Sequence, residues 1–158
     1  MPDLATTRLD LHPLTTAEAL ALVAGETLSG WAFAEGYPMP DTLDGVGLFL
    51  RHGDRDFGVY LVVCRGDGLV IGDGGFVGPP ADGAVTIGYE IVPVARRQGY
   101  ATEVIVALAA WALGQPGVEE VRAETLPENE GSIRALCTAG FTEVEAGERV
   151  RRFALSAG

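Results

Sequence analysis

Three runs rich in β-branched and aromatic residues follow one another between residues 57 and 93, joined only by short glycine-bearing links. They are Phe57 to Cys64, Leu69 to Phe76 and Ala84 to Pro93, broken by "RGDG" and "GPPADG". Runs of this length between Gly, Pro and Asp read as strands. Links this short cannot hold the crossover that parallel neighbours need, so the three form an antiparallel meander. Gly72, Gly74 and Gly75 mark a bulge within it. After Gly99 the period changes: Ala101, Val104, Ile105, Leu108, Trp111 and Ala112 recur at helical spacing, and Gln115-Pro116-Gly117 ends the run. A meander that turns into a long apolar helix restricts the chain to a mixed α/β architecture with helices on a central sheet.

The flanking segments fit that layout. Leu9 to Pro13 alternates and reads as a first strand. Thr15 or Thr16 caps a helix that has Glu18 in its first turn, Leu20, Val23 and Ala24 on one face, and Gly25 as its stop. Ser29 to Tyr37 reads as a further helical segment bearing Trp31 and Phe33, with Pro38 and Pro40 ending regular structure. Asp41 to Leu50 adds a short helix. Val118 to Leu126 is a fifth strand, and Pro127 to Phe141 becomes a helix with Ile133, Leu136 and Cys137 on one side and Gly140 at its close. A hairpin ends the chain. No linker divides residues 1–158, so one domain is expected.

Composition narrows the function. A formal charge of -11 argues against a nucleic-acid partner, which calls for a basic stripe. It suits a cationic partner such as an amine, or serves only solubility. No basic region followed by an apolar run opens the chain, and Val104 to Leu113 is too short for a membrane span, so a cytoplasmic protein is expected. Cys64 and Cys137 lack metal-ligand spacing and read as reduced core thiols. His12 and His52 stand alone, so no metal is expected. The closing hairpin offers an edge through which a homodimer could form.

The segment Arg96-Arg97-Gln98-Gly99-Tyr100-Ala101-Thr102-Glu103 joins the meander to the long helix. A helix start exposes unpaired N–H groups and a partial positive charge, which suit phosphate. Gly99 lets a ligand approach the backbone, and Arg96 and Arg97 add charged donors. Neither a dinucleotide fingerprint nor a P-loop is present. The choice left by these residues lies between a pyrophosphate cradle and a tight strand-to-helix turn with solvated arginines.

Arg96 to Ala101 matches [RQ]-x-x-G-x-[GA], and the chain here resembles the GNAT superfamily of N-acetyltransferases. "IGYEIVP" is similar to the family's fourth strand, and "ATEVIVALAAWAL" to its next helix. "AETLPENEGSIRALCTAGF" resembles the fifth strand and following helix of the ribosomal-protein acetyltransferase-like branch, which carries T-x-x-x-N-x-x-S. The likeness extends from Leu9 to about Phe153 and is densest from Gly72 to Phe141.

That resemblance implies a central, mostly antiparallel sheet with helices on both faces, splayed between the family's fourth and fifth strands. It implies acetyl-CoA as cofactor and transfer to a primary amine, a protein N-terminus or a small molecule, in a ternary complex. The alternative is an inactive acyl-CoA-binding module. Backbone groups of Ile91 and Val92 would pair with the pantetheine arm. Arg96, Arg97, Gln98, Gly99, Tyr100, Ala101 and Thr102 would form the pyrophosphate site. Asn129 would contact the cofactor near its reactive end, or cap a helix.

Direct transfer needs a base, because an ammonium has no lone pair. Glu90, interrupting an apolar strand, is the leading candidate, with Glu124 second; Glu90 could instead face solvent or only orient the ammonium. The tyrosine many members use as acid falls at Leu136 here, which leaves Ser132 to hydrogen-bond the departing thiolate or merely support its helix. Trp31, Phe33 and Tyr37 line an acceptor site or belong to the core, with Asp41 and Asp44 placed to attract a cation.

Overall fold

The computed structural model describes residues 1–158. Nine strands, β1 (Leu4–Ala5), β2 (Leu9–Pro13), β3 (Ala32–Phe33), β4 (Val59–Cys64), β5 (Leu69–Phe76), β6 (Ala84–Ile91), β7 (Glu120–Thr125), β8 (Thr142–Ala146) and β9 (Arg151–Ser156), make one sheet. Its order is β1-β2-β4-β5-β6-β7-β9-β8, with β3 paired to β5. Four helices pack on it: α1 (Thr16–Val23), α2 (Pro40–His52), α3 (Tyr100–Leu113) and α4 (Glu130–Thr138). No helix is long and apolar enough to cross a membrane.

The meander is antiparallel as its short links require, β4 against β5 and β5 against β6. Its register slips between Val62 and Val63, whose partners are Gly72 and Val70, so Ile71 is the extra residue of a bulge beside Gly72. Gly72 is there because nothing larger fits: a Cβ would lie 2.1 Å from the Glu90 carbonyl oxygen. The strand β6 pairs β7 in parallel, and only those two central strands and the short β3 depart from the antiparallel pattern.

Helices cover both faces, and alternation along β5 and β6 assigns residues to each. Phe76 stacks at 5.4 Å on Trp111 of α3, and a Cβ on Gly74 would meet Val104 and Leu108, so even positions of β5 face α3. Asp73, one residue away, faces α2, where it meets Thr42. The core is continuous through the sheet, with Val104, Ile105, Leu108 and Leu136 fully buried. Each such side chain contributes roughly 2 kcal/mol by leaving water.

Several expectations need correction. Residues 29–37 form no helix: only Ala32 and Phe33 are regular, as β3, and Trp31 is held by its indole N–H donating to Glu18 at 2.9 Å. Pro40 begins a helix rather than ending structure, since the first helical turn does not need its missing N–H. In α1 the buried face is Ala19 and Leu22, while Leu20 and Val23 are exposed, so the assumed stripe was rotated. Cys137 is exposed and Cys64 half-buried, so neither is a core thiol. Thr15 does cap α1, in a reciprocal arrangement with Glu18.

Candidate active site

The strands β6 and β7 hydrogen-bond only from Ala84↔Glu120 to Ile87↔Ala123. Beyond Ile87 they part, and a gap opens between the end of β6 and the end of β7. Ile91 lies opposite Gly72, and the flanking Val92 N–H donates to the Ile71 carbonyl at 2.8 Å. Strand alternation therefore turns the backbone groups of Ile91, and of Tyr89 two residues earlier, toward the gap. Of the two residues expected to offer backbone there, Val92 does not do so with its N–H, which is bound within the sheet. The Ile91 carbonyl accepts from Arg96 Nε at 2.8 Å, so Arg96 folds back onto the end of β6.

A turn of 3-10 helix, Pro93–Ala95, leads from β6 to the start of α3. Arg97 has φ 63° and Gly99 has φ 82°, both left-handed, and for a bulky residue such as Arg97 this conformation is strained. Left-handed residues in a turn can bring successive N–H groups into one concavity. The N–H groups of Arg97, Gln98, Gly99, Tyr100, Ala101 and Thr102 donate to no acceptor within the protein; the first bond of the helix is Glu103 N–H to the Gly99 carbonyl, 3.2 Å. A run of six unspent donors at a helix start fits a polyanion.

Arg8 braces this loop, and sequence reasoning missed it. Its Nη2 donates to the Gln98 carbonyl at 2.7 Å, its Nε to Glu103 at 2.5 Å, and its guanidinium lies 4.2 Å from the centre of the Tyr100 ring. A Cβ on Gly99 would lie 3.3 Å from Arg8 Nη2. No local pattern around Arg8 signals this, because the contact joins β2's approach to a loop some 90 residues later.

Glu90 and Asp73 stand opposite each other on β6 and β5. Thr42 Oγ lies 2.6 Å from Glu90 Oε1 and 2.7 Å from Asp73 Oδ2, and accepts from the Met39 N–H at 3.1 Å. Burial raises the Glu90 carboxyl, against the pull of the Thr42 hydrogen bond, with Asp41 adding to the rise and Arg96 opposing it. Burial pushes Asp73 up to about 7, and the charge of Glu90 adds to this. Tyr37 is buried beside them, and its hydroxyl meets no partner in hydrogen-bond geometry. A cleft of about 250 Å³ opens over this face, lined by Asp41, Gly45 and Leu48 of α2 and by Asp73 and Glu90, with no basic side chain.

On the other face of β6, the Tyr89 hydroxyl is 2.6 Å from Ser132 Oγ in the first turn of α4. Burial pushes the phenol up to about 12, with the Ser132 hydrogen bond opposing, so it stays protonated at neutral pH. Tyr89 was not singled out from sequence, although the aromatic in "GYEI" next to Glu90 was a usable signal. Asn129 caps α4, its Oδ1 accepting from the Ser132 N–H at 3.1 Å. Glu124 does not stand with Glu90. It is exposed and ion-paired at 2.9 Å with Arg152 of β9, which Glu145 also engages. Trp31 and Phe33 pack against the core edge, and Phe33 meets Tyr37 edge-on at 5.0 Å. Asp44 is not among the residues that line the cleft.

Residues 8–142 match the model of the acetyltransferase (GNAT) domain. The chain belongs to the GNAT acetyltransferase family. It is similar to an uncharacterized N-acetyltransferase, YjdG, of Bacillus subtilis, 30% identical over 95 residues, which are 60% of this chain and 56% of that protein. It is also similar to an aminoglycoside N(6')-acetyltransferase type 1 of Klebsiella aerogenes, 42% identical over 57 residues, 36% of this chain and 37% of that one. The matches thus span little more than half of these curated relatives at most. Among solved structures, the ribosomal L7/L12 alpha-N-protein acetyltransferase RimL in complex with coenzyme A shares the fold, with TM-score 0.68, 18% identity and 98% of each chain covered. In this GNAT domain, the gap beside β6 and the unspent N–H groups at the start of α3 fit the family's acetyl-CoA: the loop's donors match its pyrophosphate, and the open strand edge matches an extended arm.

Proposed function

We propose that this protein is an N-acetyltransferase that moves the acetyl group of acetyl-CoA directly to a primary amine held in the cleft over Glu90. The observation that carries the reading is the position of β6: it presents Glu90 to the acidic cleft, Tyr89 to α4, and a free backbone edge to the gap between them. When bound, acetyl-CoA supplies an acetyl thioester, which a neutral amine attacks.

The residues of the chain divide the remaining work. Arg97 to Thr102 hold the pyrophosphate with backbone N–H groups. Asn129 caps α4 with its side-chain oxygen, which leaves its nitrogen available to the cofactor. Asp41 and Glu90 draw an ammonium into the cleft, and Glu90 accepts its proton, which a carboxyl of raised basicity does well. The N–H groups of Tyr89 and Ile91 that face the gap are donors for an oxygen gaining charge. The Tyr89 hydroxyl, supported by Ser132, is the proton donor for the leaving sulfur, the duty that Leu136 cannot perform.

The acceptor class is a cation. Protein N-termini and polyvalent small amines both qualify, and the acidity of the cleft is what favours them. The test is a screen of amine classes, peptides with free N-termini, polyamines, amino acids and aminoglycosides, scored by release of free coenzyme A thiol. All 11 basic residues of the chain are arginine, so no lysine of the enzyme competes as acceptor. Thiol release with at least one amine is expected. Thermal stabilisation by acetyl-CoA without release for any amine would instead fit a binding module.

A further inference from the structure

The Thr42 hydroxyl sets a proton count. It has one hydrogen to give and two lone pairs to receive. One lone pair takes the Met39 N–H at 3.1 Å. Two carboxyl groups then lie within 2.7 Å of the same oxygen. Two carboxylates cannot both be satisfied, because the single O–H reaches only one of them. The arrangement closes when one carboxyl group is a neutral acid donating to Thr42 Oγ, while the Thr42 O–H donates to the other.

Position decides which group holds the proton. Both line the cleft, but Asp73 is only 8% exposed and has little solvent to stabilise an anion, whereas Glu90 is half-buried. Nothing cationic neutralises Asp73. The groups facing the pair are Tyr37 from the loop before α2, Asp41 and Thr42 from α2, and Arg96 beyond β6, and of these Arg96 acts on Glu90. The Tyr37 hydroxyl beside Asp73 works against its protonation, but it stands outside hydrogen-bond geometry and burial outweighs it.

We propose that Asp73 works as a protonated acid, a positioning residue that donates to Thr42 Oγ and so commits the Thr42 O–H to an ionised Glu90 facing the acceptor amine. The proposal rests on the transferase reading for its purpose, but its proton count does not. In the step it serves, an ammonium N–H bond breaks and an O–H bond forms on Glu90, while the proton on Asp73 stays where it is. Glu90 then returns its proton to solvent through the cleft. Deprotonation of Asp73 would pull the Thr42 hydrogen away from Glu90 and place two negative charges across one strand pair.

Carboxyl 13C NMR titration of the enzyme alone, without acetyl-CoA or amine, tests the count. Asp73 should remain protonated at pH 5.5, where an ordinary aspartate is ionised, and should titrate near neutrality. In Asp73→Asn that step disappears and a single Glu90 step remains. An ionised Asp73 at pH 5.5 in the parent would overturn the proposal. With an amine accepted in the screen, Asp73→Asn should keep kcat within about threefold, because its amide N–H replaces the acid O–H, whereas Asp73→Ala and Thr42→Val should each lose about tenfold or more. Equal losses in Asn and Ala variants that fold would also overturn it. If no amine is accepted, the transferase reading fails and the titration still decides the proton count.

Discussion

The Tyr89 hydroxyl and Ser132 Oγ lie 2.6 Å apart, tying the free edge of β6 to the first turn of α4. On the proposed mechanism, this contact is where the leaving thiolate would be met. A phenol held up to about 12 is a weak acid in bulk water but a ready donor to a sulfur anion beside it. Tyr89→Phe should lower kcat about 10- to 100-fold and leave KM for acetyl-CoA within about twofold. Ser132→Ala, which removes only the support, should lose less. Steady-state kinetics on the amine found in the screen decide this, and an unchanged kcat for Tyr89→Phe would remove it from the reaction.

The start of α3 depends on Gly99 for conformation and for space. With φ 82° and Arg8 Nη2 only 3.3 Å from a would-be Cβ, any side chain there strains the turn and pushes on its brace. Gly99→Glu also places a carboxylate over the six unspent N–H groups. Coenzyme A affinity, measured by calorimetry, should fall at least about tenfold. Retained affinity would mean that the phosphates are held elsewhere.

Arg8 and Glu103 give the same loop a dependence on acid. Burial alone would raise the Glu103 carboxyl, but hydrogen bonds from Thr6 and Arg8, including the Arg8 backbone, hold it below its usual value. A lowered carboxyl binds fewer protons folded than unfolded. Its stability is therefore full above the ordinary glutamate value and is lost as pH falls through the lowered one. Glu103→Gln should flatten the fall of Tm between about pH 5 and pH 3 relative to the parent. At pH 7 the same variant should bind coenzyme A more weakly, because Arg8 loses the partner that orients it. Parallel Tm curves for the two proteins would show that the pair contributes nothing to the acid limb.

Much of the sheet was legible because its signals are local. The runs at 57–64, 69–76 and 84–93 became β4, β5 and β6 with small changes at their ends, and Gly99 marked the start of α3. The segment from 29 to 37 misled because bulky aromatics at near-helical spacing do not reveal that Glu18 of α1 holds Trp31. The loop after β6 was readable as an anion site from its glycine and helix start. Its brace, Arg8, was not, since only tertiary folding brings it there. The carboxyl pair shows the same limit: Glu90 stood out as a charge in an apolar strand, while Asp73, among the glycines of its strand, was not singled out. Only the pairing of β5 with β6 sets the two side by side. Glu124 stood second to Glu90 in sequence, and only the pairing of β7 with β9 sets Arg152 across from it.

That pairing also fixes how stability should change with pH. Asp73 is raised to about 7 in the folded protein by burial and by Glu90, and titrates near 4 when unfolded. Between those values the folded state holds a proton that the unfolded state has lost. The contribution of Asp73 is thus fully present below about pH 4 and declines as pH rises toward 7, the reverse of an ion-paired carboxylate. Asparagine has the same shape and no proton to lose. Asp73→Asn should therefore match the parent in Tm near pH 4 and exceed it by about 5 °C or more at pH 8, with the difference growing through the interval between. A scan of Tm from pH 4 to pH 8 on both proteins measures this. A difference that does not change with pH would mean that Asp73 ionises as readily folded as unfolded, and would place the cost of the carboxyl pair on Glu90 alone.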